Sequence, residues 1–138
     1  MAIEMFIGMF IIQYVFSSYI MANSVYNITN SVGKIYMCTI MGLFMVLLGI
    51  IMNPKFNLQH FLSFITLLLI FIILYKLQFG IGDKNYLQEM IEHHSMALLT
   101  SQKILEKTKA PAVANFATHI LITQEKEIDD MKYLLKSI

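Results

Sequence analysis

Arginine is absent from the 138 residues, and all ten basic side chains are lysine. The planar fork that normally clamps a phosphate or carboxylate through two parallel hydrogen bonds is therefore missing. Charge of either sign is scarce at 14% of residues, where a soluble domain averages about 25%. The formal net charge is +1, which gives no case for a nucleic-acid partner. Cysteine occurs once, as Cys38 inside an apolar run. A disulfide framework and a cysteine-based zinc site are excluded, and Cys38 reads as a small buried hydrophobe. There is no glycine-rich phosphate loop and no nucleophile elbow. Ser95 follows His94 but points elsewhere on a helix, so no enzymatic activity is expected. No acidic residue lies deep in an apolar run, which argues against a proton-coupled transporter.

What is present is apolar surface. Hydrophobic residues make up 57% of the chain and the mean hydropathy is +0.65, the composition of a membrane protein. Three apolar runs, at about residues 3–21, 35–52 and 61–79, are each about 18–19 residues long, enough to cross a hydrocarbon core. The first carries Glu4 where a signal peptide would carry a basic residue, and no small-residue cleavage site follows, so it reads as a retained span. Its polar points, Gln13, Ser17 and Ser18, are expected to face other helices. A polar connector, Asn23 to Gly33, follows, and within it Asn27-Ile28-Thr29 fits the N-glycosylation acceptor pattern. The segment Asn53-Pro54-Lys55-Phe56-Asn57 ends the second run. Lys76 and Tyr75 mark the interface at the end of the third.

The chain thus reads as all-α: a transmembrane region over residues 1–80 and a C-terminal antiparallel helical hairpin over 83–138. The composition changes at Asp83, which is placed to cap a helix running to about Lys109. Pro111 suits the first turn of a second helix, ending at about Lys136. Leu87, Met90, Ile91, His94, Ala97, Leu98, Ser101, Ile104 and Leu105 on the first helix, and Val113, Phe116, Ala117, Ile120, Leu121, Gln124, Ile128, Met131 and Leu135 on the second, keep the 3.6-residue period. Some 55 residues are few for an independent core, so the hairpin is expected to pair with a second copy as a four-helix bundle, or with the membrane part. Three spans put the connector and the hairpin on one side of the bilayer. Lys34, Lys76 and Lys84 lean toward a cytoplasmic hairpin; the glycosylation pattern leans the other way.

Candidate chemistry concentrates in Asn85 to Thr100. Met90 and His94 share one helix face at a spacing of four, and His93 and Met96 share another at three. His93 and His94 lie about 100° apart, so one ion would need donors from an opposing helix. Gln124, Glu127 and Met131 fall along one side of the second helix, and antiparallel folding brings them beside Met90 and His94. Imidazole and thioether ligands favour copper, with a carboxylate widening the choice. The alternative is that the histidines are ordinary helix residues and the methionines packing. His119 and His60 read as non-ligands. Met37, Met41 and Met45, like Met5 and Met9, recur every four residues; a ladder that passes Cu(I) is one reading and adaptable packing is the other.

Tyr86-Leu87-Gln88-Glu89-Met90-Ile91-Glu92-His93-His94-Ser95-Met96-Ala97 resembles the signature F/Y-x-x-x-M-I-x-H-H-x-x-A of the DUF305 family. Gln124-Glu125-Lys126-Glu127-Ile128-Asp129-Asp130-Met131 is similar to that family's Q-x-x-E-I-x-x-M. The whole chain looks like the membrane-anchored form, in which three spans precede one such domain. The resemblance implies a ferritin-like helical bundle and, for some members, copper binding and resistance through His and Met. Carried over, it points to Met90, His93, His94 and Met131, with Gln124 and Glu127 beside them. The chain departs from the pattern at Glu92, where many members have Pro, and at Thr100, where a Met is usual.

Three functional expectations follow. The first is a multi-pass membrane protein that binds a copper-like ion or serves metal homeostasis, with His93 and His94 at the centre, Met90 and Met131 as soft ligands and Glu127 as ligand or orienting acceptor. The second is a membrane-anchored structural or interaction module that dimerises through the hairpin without metal. The third is a conducting path along the Met ladder.

Overall fold

The computed structural model describes residues 2–55 and 57–138. Phe56, placed by the sequence in the second connector, lies outside the described residues. Among these residues the regular elements are all helical, as composition and periodicity imply. Ala2–Ile11 (α1), a π-helical segment Ile12–Ser17 and Ser18–Met21 (α2) form one continuous run. Val25–Asn27 is a 3-10 turn. Then come α3 (Val32–Ile51), α4 (Leu58–Lys76), α5 (Asp83–Leu105) and α6 (Pro111–Leu135). The helices Ala2–Met21, Val32–Ile51 and Leu58–Lys76, of 20, 20 and 19 residues, are long and apolar enough to cross a membrane. The third begins and ends three residues earlier than the apolar run suggested. The Asn57 side chain caps it by accepting from the His60 N–H at 3.1 Å, and residues 77–80 turn away, with Gln78 and Gly80 at positive φ of 52° and 73°.

The contacts divide the chain into two compact units: residues up to Ser17 with Val32–Ile81, and Ser18–Ser31 with Gly82–Ile138. In the first, α3 is the shared partner, packing against both α1 and α4. Its core joins Ile40, Leu43 and Leu47 of α3 to Leu68 of α4, with Phe6, Phe64 and Phe71 against them. Two glycines set how closely α1 approaches. A Cβ on Gly42 would lie 2.7 Å from the Phe6 ring and 3.3 Å from the Phe6 carbonyl oxygen; one on Gly49 would lie 2.5 Å from the Met5 thioether. Phe6, Phe10 and Tyr14 form a ladder of rings 6.1 and 5.8 Å apart, and the Lys34 ammonium sits 5.0 Å from the Tyr14 centroid. On the other side of α3, the Tyr36 hydroxyl donates to the Phe79 carbonyl at 3.0 Å.

In the second unit, α5 and α6 run antiparallel around buried Ile91, Leu98 and Ile128, with Leu121, Met131 and Leu135 packed on them. Pro111 opens α6 as the sequence predicts. Asp83 does not cap α5. Gly82 holds the cap position without a side-chain bond, and Asp83 is the first helical residue, where its charge faces the positive end of the helix. α6 ends at Leu135 with Lys136 at its cap, as expected, whereas α5 stops at Leu105, short of the expected end near Lys109.

The polar connector is not a free loop. The Ser18 hydroxyl donates to Oε1 of Glu92, and the Thr29 N–H donates to Oε2 at 3.0 Å. The Thr29 hydroxyl donates to the Gln88 carbonyl. Asn23 and Ser95 exchange two bonds, N–H to Oγ at 3.0 Å and Oγ–H to Oδ1 at 2.6 Å. Asn27 is buried, donates to Asn23 at 2.9 Å and accepts from the Lys132 ammonium. The acceptor pattern Asn27-Ile28-Thr29 is therefore spent on packing, and a glycan on Asn27 and this docked connector exclude one another.

Overpacking a close helix contact costs about 1–3 kcal/mol. Gly42→Ala, which must push an aromatic ring away and approach backbone, should lower the thermal midpoint of the detergent-solubilised protein. Gly49→Ala meets only the flexible end of Met5 and should lower it less. Equal midpoints for the two variants would show that α1 is not held at this distance.

Candidate functional site

The helix period presents three sides of α5 between residues 88 and 98. Ile91 and Leu98 face the hairpin core. Gln88, Glu92 and Ser95, at i, i+4 and i+7, meet the connector. The two histidines fall on either side of the core direction and separate. His93 is 57% exposed, with Nε2 3.9 Å from Glu89 Oε1 one turn earlier on the same helix. His94 is 16% exposed and reaches across the hairpin, its Nδ1 3.2 Å from Glu127 Oε2. The carboxylate oxygen is near but out of line with the ring nitrogen, so Nδ1 is buried without a hydrogen bond of proper geometry. Distance and angle thus disagree; the angle decides for the bond, and the distance still measures a close pair of polar atoms.

This pairing sets the register. With His94 level with Glu127, antiparallel running places Met90, four residues before His94, level with Met131, four residues after Glu127. Met131 packs on the Ile91–Leu98–Ile128 cluster, and Met90 is half-buried. Gln124 stands one turn from Glu127, its Nε2 3.4 Å from Glu127 Oε2. The structure therefore brings His94 and Glu127 together, with Gln124 beside them, and leaves His93 outside that seam. Among the described residues, no group of three or more His, Cys, Asp or Glu side chains is arranged to hold a metal ion. His60 and His119 are exposed and stand apart. On α3, Met37 and Met45 are exposed and Met41 half-buried; Met5 of the other ladder fills the space over Gly49.

Sequence reasoning missed Glu92. It is 8% exposed, and both carboxylate oxygens accept hydrogen bonds from the connector. The available signal was the polar stripe 88–92–95 beside the apolar positions 91 and 98: a helix polar on a second face at strict spacing has a second polar partner to find.

The DUF305 profile, a domain of unknown function, matches residues 74–136. "Uncharacterized protein L153" of Acanthamoeba polyphaga mimivirus is 36% identical over 138 residues, covering 98% of this chain and 91% of its own length. The chain belongs to the DUF305 family. No solved structure matches. The DUF305 match starts within the last turn of α4, whereas the compact unit containing the hairpin also takes in Ser18–Ser31.

Removing a buried acceptor strands its donors, at about 1–3 kcal/mol for each group. Glu92→Ala should destabilise α5–α6 by on the order of 2–3 kcal/mol, read by pulse proteolysis in urea as cleavage within the hairpin. Glu127→Ala removes a carboxylate that is 53% exposed and should cost below about 1 kcal/mol. The reverse order would mean that the seam, and not the connector, carries the stability.

Proposed function

We propose that this protein is a multi-pass membrane protein whose DUF305 hairpin binds a copper-like cation at the seam between α5 and α6. His94 and Glu127 would supply the ligands, with Met90 and Met131 one turn away as soft donors and Gln124 as an orienting neighbour. The observation that carries the reading is the His94–Glu127 pair. An imidazole Nδ1 that is buried without a hydrogen bond stands 3.2 Å from a carboxylate oxygen across the hairpin, so two groups of metal-ligand type lie side by side. The separation also fits one edge of a coordination polyhedron with bonds of about 2.0–2.2 Å. Because the other nearby donors are thioethers and an amide, the set favours copper over zinc, and Cu(I) if both methionines take part. The hairpin's role is binding and metal homeostasis, without catalysis. His93, exposed and turned toward Glu89, is at most an entry point for the ion.

A second reading is a membrane-anchored interaction module that dimerises through the hairpin and holds no metal. It is favoured by the separation of the two histidines and by the fact that, among the described residues, no third carboxylate or imidazole joins His94 and Glu127 in a group arranged to hold a metal ion.

Copper titration of the full chain in detergent, under reducing and oxidising conditions, discriminates the two. His94→Ala should weaken binding at least about tenfold, equivalent to 1.4 kcal/mol. His93→Ala should weaken it less, and Met90→Leu with Met131→Leu should act mainly on Cu(I). Absence of binding, or affinity indifferent to His94→Ala, rejects the metal reading. An oligomeric state that ignores both metal and chelator then supports the interaction module.

A further inference from the structure

The two ends of the hairpin differ in charge. Residues 99–124, which hold the turn, carry three lysines, Lys103, Lys107 and Lys109, against one acid, Glu106. Glu106 is paired with Lys103 at 2.6 Å. The rest of the hairpin, residues 83–98 and 125–138, carries seven acids against four lysines. At the basic end the apolar stripes of α5 and α6 do not close on one another. They leave an open groove of about 240 Å³, with Ser101 and Ala117 in its lining. Those two residues are buried, whereas Ile104, Val113 and Phe116, which also line it, are exposed, Phe116 to 65%. Water-facing Ile, Val and Phe grouped in one place mark a surface that meets something else.

We propose that this end of the hairpin docks on an anionic lipid surface. Ile104, Val113 and Phe116 enter the boundary between headgroups and acyl chains, and the lysines meet the headgroup anions. The proposal rests on the reading of the chain as a multi-pass membrane protein and needs no metal at His94 and Glu127. Charge decides the occupant. Apolar side chains flanked by lysine are the composition of a surface that lies in the membrane interface. Each lysine near an anionic bilayer adds attraction, and its long stem lets the neighbouring apolar groups sink while the ammonium stays in water. A second copy fits less well, since a two-fold pairing of the groove with itself would set the lysines of one copy against those of the other. Covalent reach supports the same occupant. Residues 77–82 alone join α4 to α5, and the 23 residues of α5 extend about 35 Å. By chain length alone, the groove is confined to the neighbourhood of the bilayer that would hold α4. Confinement of this kind makes weak docking effective.

The chain contains no tryptophan, so Phe116→Trp places a single indole reporter at the groove. Ile122→Trp is its control, at an exposed position about 120° round α6 from Phe116. The full chain is reconstituted in nanodiscs of phosphatidylcholine with brominated acyl chains, with and without phosphatidylserine. With phosphatidylserine, fluorescence from position 116 should shift to the blue and be quenched by the bromines, and that from position 122 should not. Lys103→Gln, Lys107→Gln and Lys109→Gln together, all at exposed positions, should lower the ratio of quenched to unquenched reporter by about tenfold or more. High salt should act in the same direction. No quenching at 116, or equal quenching at 116 and 122, overturns the docking. Quenching that ignores both phosphatidylserine and the lysines overturns the anionic surface as occupant. A blue shift without quenching that grows with protein concentration in detergent gives the groove to a second copy and overturns the proposal too. Alkaline carbonate extraction separates this proposal from the reading beneath it. A chain that resists extraction and shows no quenching rejects the docking alone; a chain that carbonate releases rejects both.

Discussion

A carboxylate can be taken out of water only where other donors replace the water. Glu92 imposes that condition on the C-terminal unit. It stands on the third face of α5, next to the core residue Ile91, and donors from residues 18 and 29 meet its two oxygens. The connector must therefore lie along α5, which brings Asn23 to Ser95 and Asn27 to Lys132. The core that α5 and α6 bury between them is small, and the connector covers a further side of α5 within the same chain.

In the N-terminal unit, whose three long helices are apolar enough to cross a membrane, close fit and small residues decide which faces meet. α3 supplies both, with Gly42 and Gly49 admitting the side chains of α1, and Ile40, Leu43 and Leu47 meeting α4. Aromatic rings line each seam, Phe6, Phe10 and Tyr14 on one side and Tyr36, Phe71 and Tyr75 on the other. The outer faces of α1 and α4 carry exposed Ile and Leu.

Much of this was legible in the residues. Apolar runs of membrane-spanning length, Pro111 at the start of the last helix, and the middle of the apolar stripes of α5 and α6 each follow from a local rule and agree with the structure, whereas Ile104, Val113 and Phe116 at the stripes' ends near the turn are exposed. The rules failed at helix starts, where the neighbouring residue took the cap, and in the connector, where the partners are distant in sequence. Asn57 drew the start of α4 earlier through its cap, and Gly82 displaced Asp83 from the cap of α5. The connector was read from its turn-forming composition as a loop, and its asparagines and threonine as a glycosylation pattern, because pairing 18–31 with 88–95 spans more than 60 residues and leaves no periodic trace. Within the candidate site, the spacing of Met90, His94, Glu127 and Met131 was readable, while the outward turn of His93 depended on which flank of the stripe 91–98 it occupies.

The docked connector has a consequence for biosynthesis. A domain whose parts lie on both sides of two spans in the sequence is discontinuous: residues 18–31 leave the ribosome long before Glu92, Ser95 and Lys132 exist. Helical hairpins otherwise form from neighbouring residues and fold early. Here residues 18–31 have to stay solvated while α3, α4 and α5 are made, and the domain closes only when α6, which carries Lys132, has followed.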